Sequence, residues 1–310
     1  MGGSNLRFDM FEWQVVPWSV MLDDVRYLEA LGVGTVWIGD SFVLPPAYGD
    51  FVLEAWTTLA ALAACTQRIR LGTMVSNVPL RHPAMLAKQA ATVDCISGGR
   101  LDLGVGPGDN FSGEIASLGL PALAPGARVD RLGEAVEVID RLLRGHEVTF
   151  HGEYYHTDQA ALSPAPLQRP RPPLAIAAQG RRGLRVAAEY ADIWVTMPSG
   201  KTAEEAQRSV EERNLILVEQ CAALGRDPGT IERACLAGWS GPDRPFASAD
   251  SFQDFVGRYR DVGMQRFIFS LGSAAFPAPY KEWIETGAWA TRDSLEAFAA
   301  QAMWGMQSSG

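Results

Sequence analysis

Chemistry-bearing residues recur in short segments along this chain. Trp37-Ile38-Gly39-Asp40-Ser41 offers a carboxylate and a hydroxyl. Met74-Val75-Ser76-Asn77 offers a hydroxyl and an amide. Gly106-Pro107-Gly108-Asp109 sets a second carboxylate in a glycine-rich turn. Ala178-Gln179-Gly180-Arg181-Arg182-Gly183 reads as an anion site, and Thr196 adds a hydroxyl beyond it. At such a turn the free N–H groups of a helix start, and the helix dipole, favour negative charge. Glycine lets a ligand approach the backbone closely. The competing reading is an ordinary turn with two solvated arginines. Asp109 suits proton transfer, because apolar walls raise a carboxyl pKa toward neutrality. It equally suits the cap of a short helix starting at Asn110. Asp40 is a catalytic or a turn carboxylate on the same reasoning. His82 precedes Pro83 and reads as a structural residue at a helix start. Trp13, Trp37, Trp56, Tyr154 and Trp194 can wall a planar ring or pack the core.

These segments follow apolar runs, and the runs alternate with helical spacing. Eight strands are expected at Leu6–Met10, Thr35–Ile38, Arg68–Val75, Leu101–Val105, Leu174–Ala177, Asp192–Val195, Ile231–Gly238 and Arg266–Ser270. Met21, Val25 and Leu28 mark a first helix. Others are expected at Glu54–Ala64, Ala84–Ser97, Arg128–Gly145, Gly180–Tyr190, Ala203–Leu224 and Ser251–Val262. Two terminal helices are expected near Tyr280–Thr286 and Ser294–Met303. Glu147–Tyr155 reads as a hairpin turning at His151-Gly152, and the proline-rich Ser163–Pro173 as an extended linker. Eight strands alternating with helices is the count that a closed parallel barrel needs, and barrel enzymes work at the C-terminal strand ends. A doubly wound sheet would need a glycine-rich dinucleotide turn after the first strand, and Asp9–Trp18 has none. The expected architecture is therefore α/β: a (β/α)8 TIM barrel, one domain over residues 1–310, with insertions at about 110–127, 147–173 and 239–250.

The formal net charge of -9 disfavours nucleic acid or an anionic membrane surface as partner. Cys65, Cys95, Cys221 and Cys235 form no C-x-x-C pair and read as free, mostly buried thiols of a reducing cytoplasm. No two histidines have i, i+4 spacing, so no metal is expected. No apolar run approaches the ~20 residues of a membrane span, and Met1–Asp9 lacks the core of a secretory signal.

One ordered set of motifs resembles a known superfamily. Arg68-Ile69-Arg70-Leu71-Gly72-Thr73 leads to Arg81-His82-Pro83-Ala84. Then come Ala87-Lys88-Gln89-Ala90-Ala91-Thr92-Val93-Asp94, Ser97-Gly98-Gly99-Arg100-Leu101, and Gly104-Val105-Gly106-Pro107-Gly108-Asp109. Over roughly residues 6 to 270 the chain resembles the bacterial luciferase-like monooxygenases and the related reductases that use coenzyme F-420. The resemblance implies a luciferase-like barrel with coenzyme F-420 or FMN across its C-terminal mouth. It implies that Asp40 approaches the cofactor ring. Met74-Val75 matches a bulge behind the ring that in relatives is often a non-proline cis peptide, with Ser76, Asn77 and Gly106 beside it. Gln179 and Gly180 match the phosphate turn, with Ala178 and Thr196 nearby, and Asp109 matches an acidic position at the reacting face. Ser41 departs from the pattern: in several deazaflavin-dependent dehydrogenases a histidine follows the matching aspartate, and serine is no base at neutral pH unaided. That favours a reductase or a monooxygenase over an alcohol dehydrogenase. A deazaflavin does not readily activate oxygen, so the cofactor decides between these two. A non-catalytic flavin-binding paralogue is the third reading. Substrate contacts are expected from Val43–Phe51, Phe111–Arg128 and Gly238–Ala249, where Leu44, Pro45, Pro46, Phe51 and Phe111 suit an apolar, bulky small-molecule substrate, although prolines are also ordinary in loops. Relatives are commonly dimers, so a homodimer is expected.

Overall fold

A computed structural model describes residues 6–44, 51–108, 113–239, 241–276, 278–299 and 303. Eight parallel strands close into a barrel: β1 Arg7–Glu12, β2 Thr35–Ile38, β3 Arg70–Thr73, β4 Leu101–Gly106, β5 Leu174–Ala177, β6 Ile193–Thr196, β7 Glu232–Leu236 and β8 Arg266–Ser270. Each pairs with the next, and β8 closes on β1 from Arg7↔Arg266 to Phe11↔Ser270. The helices between them are α1 Trp18–Leu31, α2 Ala55–Cys65, α3 Pro83–Ser97, α4 Pro125–Leu143, α5 Arg181–Tyr190, α6 Ala203–Leu224 and α7 Ala249–Asp261; α8, Ala278–Glu285, follows β8.

Local chemistry sets the boundaries. α1 buries Met21, Val25 and Leu28 on one face and stops at Gly32, whose φ of 83° is the left-handed conformation glycine tolerates. At the start of α3 the His82 ring accepts the Ala84 N–H, and Pro83 fills the first helical position. Side chains alternate along each strand. On β4, Leu103 and Val105 meet the helices, while Gly104 and Gly106 face inward. A Cβ on Gly104 would lie 1.9 Å from the Thr73 carbonyl oxygen, and one on Gly106 2.3 Å from Val75. These bare positions let the segment Met74–Asn77, with its cis Met74-Val75 peptide, lie over β4 and pair Ser76 with Val105.

Two expectations are corrected. The hairpin pairs Val148–His151 with His156–Ala160, so its turn is Gly152–Tyr155 and its second strand lies beyond Tyr155. Glu134 on α4 forces that turn by accepting the N–H groups of Glu153, Tyr154 and Tyr155 at 2.7, 2.9 and 3.0 Å. The proline-rich segment is packed down rather than merely extended. Its Arg171 is buried between Asp140 and Asp192, and Gln168 binds Asp94. Within the expected Ser294–Met303 helix, a turn at Arg292–Ser294 widens into a π-helical turn, Leu295–Ala299, and residues 300–302 lie outside the described residues. Cys221 and Cys235 are buried, Cys65 and Cys95 only half-buried, and none forms a disulfide.

The N-terminal floor of the barrel is ionic. Arg266 is 1% exposed and binds Asp9, Asp102 at 3.1 Å, Glu232 at 3.1 Å and the Thr35 hydroxyl at 2.7 Å. Arg70 shares Asp102 at 2.5 Å, and the Trp37 indole N–H donates to Asp9 at 2.9 Å.

Glu12, at the end of β1, is the opposite case. It is fully buried, and neither carboxylate oxygen has a hydrogen-bond partner. Burial first, then the nearby Asp24 carboxylate, push its pKa well above the ordinary range, against a smaller pull from Arg292. A raised carboxyl pKa in the folded state costs nothing below the unfolded value and costs stability as pH rises through the window between the two. Glu12→Gln should therefore raise the melting temperature at pH 8, with the gain fading toward pH ~4, the ordinary carboxylate range. Equal melting curves for the two proteins at pH 8 would refute this.

Candidate active site

The C-terminal strand ends surround a cavity of about 520 Å³. That volume lies within the ~300–1,000 Å³ typical of ligand pockets. Its wall divides into three arcs, each set by neighbouring strands.

The arc from β2 to β4 is polar. Asp40 follows β2 and is 6% exposed. Both its carboxylate oxygens bind the Arg81 guanidinium, one of them at 2.9 Å, and it accepts the Asn77 backbone N–H at 2.9 Å. Glu114, in the helical turn Glu114–Ser117, accepts from the Asn77 amide at 2.5 Å and from the Phe42 N–H at 2.8 Å. Burial lowers the Arg81 pKa, but Asp40, Glu54 and Glu114 outweigh it and the shift is upward. Asp40 is thus a paired carboxylate held rigidly at the cavity wall.

The arc from β5 to β6 suits an anion. Gly180 stands before the first residue of α5 with no side chain capping the helix, so the first N–H groups stay open to a ligand. Nothing lies within 4 Å of where a Cβ on Gly180 would be. The Gln179 amide oxygen accepts from the Thr196 hydroxyl at 2.9 Å. Arg213 on α6 donates to Thr196 at 3.2 Å and to the Met197 carbonyl at 2.5 Å, and it makes no ion pair among the described residues. Burial lowers its pKa, as expected for a cation lacking a counter-ion. Arg181 and Arg182 turn outward, pairing with Glu219 and Asp130.

The arc from β7 through β8 to β1 is aromatic. Trp239 follows β7, Trp13 follows β1, and Tyr280 and Trp283 come from α8. Trp13 and Trp239 have ring centroids 5.0 Å apart, and Phe11 meets Trp239 edge-on at 5.3 Å.

The fold gathers most of the expected residues at this end. Asp40, Ser41, Met74, Val75, Asn77 and Gln179 line the cavity. Ser76, Gly106, Ala178 and Thr196 stand behind the lining: the Ser76 hydroxyl donates to Thr73, and the Ala178 carbonyl accepts from Trp194. Asp109, Asn110 and Phe111 lie outside the described residues, as do Pro45 and Pro46. Of the five expected ring-walling aromatics only Trp13 reaches the cavity; Trp37, Trp56 and Trp194 are buried elsewhere, and Tyr154 sits in the hairpin turn. Sequence reasoning missed Glu114 and Arg213, which lie in an insertion and inside a long polar helix with no local signal. Arg81 and Trp239 carried one: the first sits in the Arg81-His82-Pro83 motif, and the second lies just after a strand end.

Comparison with known proteins gives a family match and a shared fold. Residues 12–281 match the family described as luciferase-like monooxygenase. An uncharacterised protein of Mycobacterium tuberculosis is 35% identical over 220 residues, 71% of this chain and 70% of that protein. The F420-dependent glucose-6-phosphate dehydrogenase of Nakamurella multipartita is 40% identical over 184 residues, 59% of this chain and 53% of that one. In fold, the chain is similar to an F420-dependent secondary alcohol dehydrogenase solved in complex with an F420-acetone adduct. The TM-score is 0.74 at 20% identity, covering 91% of this chain and 99% of the other.

Proposed function

The chain belongs to the luciferase-like monooxygenase family, and on that premise we propose that it is an oxidoreductase using coenzyme F-420, with FMN as the second reading. One observation carries the proposal: the uncapped start of α5 at Gly180, flanked by Arg213, which makes no ion pair among the described residues, opens beside an apolar cavity. That is a cradle for a phosphate attached to a flat ring system. Gln179, Gly180, Ala178 and Thr196 would hold the phosphate. Asp40, Met74, Val75, Ser76, Asn77 and Gly106 would shape the ring site. The F420-dependent relative supports the deazaflavin, and the family description supports FMN.

When bound, reduced F-420 supplies a hydride, whereas reduced FMN supplies a hydride or activates oxygen. The chain's own residues orient and exclude water. The Asp40–Arg81 pair would fix the wall against which the ring packs, and both its carboxylate oxygens are held by donors, so Asp40 acts as a positioning residue. Ser41 can donate a hydrogen bond but cannot take a proton unaided. Asp109 is proposed as the proton donor at the reacting face. A reductive direction follows, since a weak acid suffices to complete it. A single barrel domain with insertions, working as a cytoplasmic homodimer on a small apolar molecule, completes the reading; the free cysteines support a reducing compartment. Among the described residues, no helix is long and apolar enough to cross a membrane.

Titrating the purified protein with coenzyme F-420 and with FMN tests the proposal by fluorescence. Saturable binding of F-420, tighter than that of FMN, is expected. Tighter FMN would give the second reading, and binding of neither would sink both.

A further inference from the structure

We propose that the aromatic arc is the substrate subsite and that it takes a neutral, planar, conjugated molecule rather than a phosphorylated or cationic one. The inference rests on the oxidoreductase reading only in calling this ligand the substrate. Trp239 is the hub of the wall: its ring centroid lies 5.0 Å from Trp13, 6.2 Å from Trp283 and 5.6 Å from Trp289. Tyr280 bridges Trp13 and Trp283 at 6.0 Å from each. The rings stand at mixed angles: 45° between Trp13 and Trp239, 55° between Trp13 and Tyr280, and 59° between Tyr280 and Trp283. Trp283 stacks on Trp289 at 4.9 Å with 24° between planes, and Trp239 is tilted by 40° to Trp283. A wall of this kind offers both faces and edges to a flat guest.

Charge points the same way. Among the described residues lining the cavity there is no lysine, arginine or histidine, and its ionisable carboxylates are Asp40 and Glu114. An anionic substrate would face those carboxylates across the mouth with no counter-ion at the aromatic end. Asp40 is already paired with Arg81, whose charge also faces Glu114, and Glu114 accepts two further N–H donors, so neither awaits a cation.

Calorimetric titration with 2-naphthol, 2-naphthyl phosphate and tetramethylammonium tests the subsite in cofactor-loaded protein, where the phosphate turn is already filled. 2-Naphthol should bind about tenfold or more tightly than either ion, and Trp283→Leu should weaken it by about tenfold, the scale of losing one aromatic contact face. Cofactor affinity should stay within about twofold, because Trp283 lies across the barrel from the phosphate turn. Trp239→Phe is the second variant, with melting curves recorded for both. Equal affinity for 2-naphthyl phosphate, tighter binding of tetramethylammonium, or 2-naphthol binding unchanged in both folded variants would overturn the proposal. If neither F-420 nor FMN loads, the oxidoreductase reading fails, and 2-naphthol titrated into free wild type and Trp283→Leu still decides the subsite.

Discussion

Gly180→Val is expected to raise the dissociation constant of the cofactor about 10- to 100-fold, the loss of one charge-assisted hydrogen bond of ~1.5–3 kcal/mol. The branched side chain would stand over the open N–H groups at the start of α5 and keep a phosphate from reaching them. The fold should tolerate it. The φ of Gly180 is -98°, which any residue adopts, and a Cβ there meets nothing within 4 Å. Valine is a poorer helix cap than glycine, so stability should fall by no more than about 1 kcal/mol. Fluorescence titration of the folded variant reads the effect. A wild-type dissociation constant would remove the phosphate from this turn.

Arg266→Met should cost about 3–5 kcal/mol of unfolding free energy, the usual penalty for stripping one partner from a buried ionic cluster. Arg266 lies between Asp9, Asp102 and Glu232, and its guanidinium also stands 5.1 Å from the Trp37 ring centroid. Methionine fills much of the volume but leaves carboxylates in the barrel floor without their main cation. Burial raises the Asp102 pKa, but Arg266 and Arg70 outweigh it and hold the carboxyl below the ordinary range. A lowered carboxyl pKa contributes stability above the unfolded value, and that contribution is lost as pH falls through the folded value. Wild type should therefore lose stability on acidification below pH ~4, the ordinary carboxylate range. The variant should be weakest at neutral pH and recover relative to wild type as its carboxylates protonate. Urea unfolding at neutral and acidic pH measures both effects. A loss under about 1 kcal/mol at neutral pH would show that the cluster is not held by this cation.

Strands were legible because their signal is local. Thr35–Ile38, Leu174–Ala177 and Arg266–Ser270 are apolar runs bounded by turn residues, and each strand matches its run residue for residue. Ala203–Leu224 was equally plain, with Thr202 capping one end and Gly225 the other. The hairpin turn was not, because a carboxylate 19 residues upstream sets it. The cavity wall divides along the same line. Asp40, Val75 and Gln179 sit just past strand ends, where the barrel rule directs attention. Glu114 reaches the wall through Asn77 and Phe42, and Trp283 from a helix beyond the last strand, while Arg213 stands behind the wall and crosses to Thr196. Long-range contacts of that kind leave no spacing in the chain.

The ionic floor also dictates when this molecule can become a barrel. Arg266 bonds to partners 257, 231 and 164 positions earlier in the chain. Until it arrives, Arg70 holds only Asp102 of these partners, Asp9 on β1 and Thr35 on β2 lack the guanidinium that joins them to it, and β1 has an unpaired edge. Synthesis runs from the N-terminus at ~5–20 residues per second, so that incomplete arc persists for about ten seconds or more before β8 is made. Such non-local pairing makes for slow closure, and an exposed parallel edge is prone to the wrong neighbour. The nascent chain is thus a natural client for chaperones, and the insertion of β8 beside β1 is the event that releases it.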